Sequence, residues 1–168
     1  MGRPIHPHAA RPIVASVTFD VARQRTIPRA RSPMVFLRNL LALILGVVVG
    51  GIVSMTLIKL GALLMPPPPG VDVNDVASIN PHIGEYSVAQ LLMPFLAHAL
   101  GTLVGAWVAA RLAVSYHMVL ALVVGLFFLA GGYMAVRMIP NAPLWFDVLD
   151  LVVAYVPMAW LGGRWATR

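Results

Sequence analysis

Residues 39–58 carry no aspartate, glutamate, lysine or arginine. As a helix, such a run covers ~30 Å, the thickness of a bilayer's hydrocarbon core. It exceeds the ~7–15 apolar residues of a signal-peptide core, and no small-x-small cleavage signature stands in a convincing place, so it reads as an uncleaved anchor. Three more apolar blocks follow. Their limits predict spans at about residues 37–60, 88–112, 117–136 and 144–161. Composition agrees: 60% of the 168 residues are hydrophobic and only 11% are charged, with a mean hydropathy of +0.84. A soluble domain carries roughly 25% charged residues. The expectation is an all-α integral membrane protein, a four-transmembrane-helix bundle occupying residues 34–168.

The connections are punctuated by turn-forming residues. Pro66 to Pro69 end the first block, and four prolines in a row predict a stiff polyproline II strut. Residues 66–87 then form the longest connection, an external loop holding Asp72, Asp75, His82 and Glu85. Asn80-Pro81 reads as a helix start, asparagine at the N-cap and proline in the first turn, leading toward the second span. Pro94 lies near the start of that span and either kinks it or sits in its first turn. Residues 113–116 leave so short a link that spans two and three are antiparallel neighbours. Asn141-Ala142-Pro143 marks the last turn.

Residues 1–33 are arginine-rich and broken by Pro4, Pro7, Pro12, Pro28 and Pro33. They read as a disordered basic arm with affinity for anionic lipid. The alternative is a mis-assigned start, because Met34-Val35-Phe36-Leu37-Arg38 resembles the beginning of a small membrane protein. The net charge of +6 is not a nucleic-acid signal, since seven of the twelve basic residues lie in the first 38, ahead of the apolar blocks. With four spans and the N-terminus inside, ten basic residues face the cytoplasm and only Lys59 and Arg137 fall on the other side. That bias predicts an N-in/C-in topology. The expected location is a bacterial inner membrane, as a multi-pass protein.

Helices in lipid associate through close backbone approach and polar contacts. Ala97, Gly101, Gly105 and Ala109 recur every four residues along span two and predict a helix-packing seam. Gly46 and Gly50 share that spacing in span one, while span three offers Gly125, Gly131 and Gly132. The pattern leaves open whether the seam's partner belongs to this chain or another. Trp145 and Phe146 fit the outer interface, and Trp160 and Trp165 the inner one; no interface accounts for Trp107.

Four polar residues stand in or near the membrane: His98, Arg137, Asp147 and Asp150. Asp147 and Asp150 share a helix face, and Asp150 lies about 21 Å along the helix from Arg164, below the outer interface. A carboxylate at that depth needs a partner, and Arg137 across the short turn is expected to clamp it. A proton or cation site is the other reading. His98 lies near mid-membrane, where it donates to a neighbouring helix or shuttles a proton. His117 is at a different depth, so paired haem ligation within the chain is not expected. The loop acids match no closed metal motif. No catalytic fingerprint occurs, and the absence of cysteine excludes thiol chemistry. Neither cofactor nor metal is expected.

These features favour a non-catalytic scaffold or accessory subunit, its partners being membrane lipids and other membrane subunits or further copies of itself. A small proton, ion or solute transporter acting as an oligomer is the second reading. A membrane-embedded enzyme is the third.

Overall fold

The computed structural model describes Gly2 and residues 33–168; the basic arm expected at residues 1–33 lies, but for its last residue and Gly2, outside the described residues. The described residues are helical, with no strand. Four helices are long and apolar enough to cross a membrane. Large apolar side chains such as Leu41, Ile44, Val48, Ile52 and Met55 stand exposed on the lateral surface. In water such a surface would be an aggregation liability; in lipid it is the ordinary solvent face.

α1 runs from Pro33 to Leu64 and is longer at both ends than its apolar block. Proline at the first helical position costs no hydrogen bond and presets φ. Its 32 residues reach about 48 Å, enough to project beyond the hydrocarbon or cross it at a tilt. α3 occupies Val88–Leu112, opened by a capping box in which Ser87 and Gln90 satisfy each other's backbone N–H groups. Pro94 lies inside α3, past its first turn, and the helix continues through it. α4 spans His117–Met138. The fourth membrane-length segment is interrupted: α5 covers Leu144–Val153 and α6 covers Val156–Ala166. Pro157 is the physical cause, because it lacks an N–H for the carbonyl of Val153 and its ring crowds that carbonyl. Ala154 and Tyr155 fill the break. The segment also runs past the expected end near residue 161, since Gly162 and Gly163 are packed helix residues and not a terminator.

The connection after α1 differs from expectation. Val71 N–H donates to Pro68 O at 3.2 Å, and Gly70 has a φ of +86°. Proline at the second position and glycine at the third produce a tight turn, which cuts the polyproline strut short. α2 then spans Val76–His82, capped by Asp75, whose side chain accepts from Ala77 N–H at 3.0 Å. Asn80-Pro81 therefore lies in the closing turn of a short helix, not at a helix start. Asp72 accepts from the backbone and side chain of Asn74 at 2.9 Å, and these bonds hold its carboxyl below the ordinary range. Thus Asp72 and Asp75 stabilise local turns, and His82 faces the carbonyl of Ser78 at 3.0 Å. A single 3-10 turn, Ile83–Glu85, leads to Ser87.

α3 is the centre of the bundle, packed between α1 on one side and α4 and α6 on the other. Its seam meets α1 within the chain. A Cβ on Gly105 would lie 2.7 Å from the carbonyl oxygen of Gly46, and one on Gly101 would lie 2.8 Å from that of Gly50. Neither distance is tolerated by a real side chain, so glycine is what permits the crossing. Ala97 and Ala109 complete the seam, fully buried. On the opposite side Gly162 presses α6 against the backbone of Leu103, and Gly125 meets Ala159. The largest fully buried side chains are only Val124 and Thr102. Polar contacts finish this end: Asn39 of α1 accepts from Val114 N–H at 2.9 Å and donates to Ser115 Oγ at 3.0 Å, tying α1 to the turn between α3 and α4.

Candidate functional site

The other end of the bundle is looser. Above the seam, α1, α3, α4 and α5 diverge around a cavity of about 300 Å³. Its walls are mostly apolar, drawn from Ile58 and Ala62 of α1, Leu91 and Met93 of α3, Ala135 and Val136 of α4, and Phe146 of α5. Val76, Ile79 and Ile83 close it from the α2 segment. That segment is fastened at both flanks. Gln90 Nε2 donates to Pro66 O at 2.6 Å, and Asn141 N–H donates to Asn80 Oδ1 at 3.3 Å.

Three polar groups meet at one end of this cavity. Asp150, only 4% exposed, projects from α5 toward α3. Its Oδ1 lies 2.9 Å from His98 Nδ1, and its Oδ2 accepts from the Tyr155 hydroxyl at 2.7 Å. The Tyr155 oxygen is also 3.1 Å from His98 Nδ1, and the two rings stack at 5.9 Å between centroids. With Nδ1 protonated, imidazole donates to the carboxylate, so an ionised Asp150 receives two hydrogen bonds in a site sheltered from water. Charge-assisted bonds of this kind are stronger than neutral ones and lessen the cost of burying the carboxylate.

The helix break builds the cluster. Tyr155 is five residues beyond Asp150, a spacing that an unbroken helix would place on a different face. A distorted turn at Tyr155 (φ −112°, ψ −78°), off the ideal helical values, accompanies the return of its side chain toward Asp150. Gly132 of α4 makes room, since a Cβ there would collide with the tyrosine ring. One turn beyond His98 along α3, the hydroxyl of Thr102 is buried without a hydrogen-bond partner.

The expected clamp between Arg137 and Asp150 is not formed. Arg137 is exposed on the last turn of α4, and the partners of Asp150 are His98 and Tyr155. The antiparallel register, set by Gly132 against Tyr155 and Gly125 against Ala159, does bring the end of α4 level with Asp150. Depth along the helix is right, but the arginine points outward. Asp147 lines the cavity one turn from Asp150, and its carboxylate makes no hydrogen bond or ion pair among the described residues. His98, Asp147 and Asp150 are therefore brought together and Arg137 is left out. Tyr155 is the residue that sequence reasoning missed; Pro157, two positions later inside an apolar span, was the available signal.

His117 is not near this site; its Nδ1 lies 2.7 Å from Ala110 O and caps the end of α3. Among the described residues no three histidine or acidic side chains converge as a metal site. The chain matches no family model, no curated protein and no solved structure.

Proposed function

We propose that this protein is a small proton-linked solute transporter, with its solute bound in the apolar cavity and its proton handled by the Asp150–His98–Tyr155 cluster. The observation that carries the reading is that cluster, buried at the break of a membrane-length helix and open to a cavity. Interrupted helices recur where transporters bind solutes, because the break frees backbone groups and lets two half-helices move separately. Intramembrane carboxylates paired with histidine mark proton paths. Among the described residues, the titratable groups at Asp150 or along the cavity wall form a short set: His98 from α3, Tyr155 at the break, Asp147 from its own helix and Tyr86 from the segment before α3. α1 and α4 contribute only apolar residues and glycine to the cavity wall. Proton arrival on Asp150 removes the charge that draws His98 and Tyr155 together, and so loosens α3 from the helix break.

The topology belonging to this reading is N-in/C-in in a bacterial inner membrane, supported by the ten-to-two distribution of basic residues. The cavity then opens toward the outer face, beneath the α2 segment. Reconstituted protein on a solid-supported membrane tests the proposal. A pH jump should produce a transient charge displacement in the native protein, and Asp150→Asn should abolish it while melting within a few degrees of the native protein. Equal transients in the two proteins, or none in either, would remove the transport reading.

A second reading, an accessory subunit of a larger membrane complex or a homo-oligomer, has its own support. The seam of α3 is consumed inside the chain, but a Cβ on Gly51 or Gly131 would meet nothing within 4 Å. Glycine on an outward helix face admits close approach by another helix. Native mass spectrometry from mild detergent distinguishes a defined hetero-complex from a closed homo-oligomer.

A further inference from the structure

We infer that the cavity selects a small hydrophobic organic cation, and that Asp147 is its counter-ion. This rests on the solute-binding reading above and names the class of solute. Charge balance carries it. Two carboxylates, Asp147 and Asp150, line the cavity, and His98 is the one basic residue among its walls. His98 is spent on Asp150 at 2.9 Å, so the cavity wall supplies no cation to face Asp147. The Asp147 carboxylate is the group left over, without a hydrogen bond or ion pair among the described residues and beside the carboxylate of its own helix neighbour. A half-buried carboxylate against apolar walls loses part of its hydration, and a bound cation offsets that loss.

An inorganic ion is a poor match. A dehydrated metal cation wants about six oxygen ligands, and this cavity offers two carboxylates, one of them already engaged by His98 and Tyr155. Apart from Gln90, whose amide is bonded to Ser87 and Pro66, the remaining lining is aliphatic or aromatic, suited to the body of an organic molecule. Tyr86 and Phe146 line the cavity with Asp147, and aromatic rings attract a quaternary or protonated amine. A volume of about 300 Å³ lies at the small end of ligand pockets and suits one ring with a short charged arm. Asp150 orders the site, while Asp147 discriminates by charge.

The test is equilibrium binding of benzyltrimethylammonium to the full chain in detergent, beside neopentylbenzene, its neutral isostere, and benzenesulfonate, an anion with the same ring. The cation should bind at least tenfold more tightly than either analogue. Asp147→Asn should lower its affinity at least tenfold while leaving neopentylbenzene unchanged. Equal binding of cation and isostere, no binding of the cation, or undiminished cation binding by Asp147→Asn would each overturn the inference. The pH-jump charge displacement, which depends on Asp150, separates the two failures. Its persistence alongside lost cation selectivity sinks the specificity and leaves the transporter, whereas its absence removes the transporter itself.

Discussion

The two halves of α3 face opposite physical problems. From Gly101 to Ala109 the helix is pressed against α1 and α6 by glycine and alanine, backbone against backbone. From Leu91 to His98 it borders a cavity, with a histidine held by a carboxylate from another helix. One half gains its stability from dispersion and close approach. The other gives up packing for a polar cluster and space. The proposed solute site would need both, since a binding constellation has to be carried on a rigid element.

Substitutions can break this contrast, and the seam should be the most sensitive place. Gly105→Leu drives a side chain into the Gly46 carbonyl and should destabilise by about 3 kcal/mol or abolish folding. Gly51→Leu, placed where nothing lies within 4 Å, should change little. Thermal unfolding in detergent, read beside elution as a single species, checks the pair. A native-like Gly105→Leu protein would mean that the seam is not what holds the bundle.

Thr102 sits where the halves join. A buried hydroxyl without a partner costs roughly 1–3 kcal/mol, and valine has nearly its shape without the polar atom. Thr102→Val should therefore raise the unfolding free energy by about 1 kcal/mol. A fall in stability would show that the hydroxyl is bonded in the membrane and that the polar region extends into the tight half.

The smallest effect is expected at Arg137. Its exposed position on the last turn of α4 favours that helix end only weakly. Arg137→Ala should shift stability by no more than about 0.5 kcal/mol. A loss several times larger would restore the arginine clamp and move the polar centre of the molecule toward the α2 segment.

The reason these outcomes separate is visible in what each residue type can announce. Apolar runs declare membrane-length helices because lipid requires every backbone group to be bonded internally. The short link at 113–116 likewise sets α3 antiparallel to α4. Gly101 and Gly105 promise a close crossing, yet Gly46 and Gly50 become their partners only when α1 is docked. Asp150 declares that it needs a partner, without saying which. Arg137 satisfies the depth requirement from register alone, whereas His98 satisfies depth and direction together.

The amino-acid order alone thus determines four membrane-length helices, a glycine seam and a buried carboxylate in need of hydrogen bonds. These follow from length, local period and the cost of charge in hydrocarbon, all properties of short stretches of chain. Tertiary structure decides the cluster itself. The break at Pro157 turns Tyr155 back on Asp150, Gly132 gives its ring room, and the rotation of α3 brings His98 into reach. Those are azimuthal facts about packed helices. Helix rotation is set by the sum of all interhelical contacts, and no single segment encodes it.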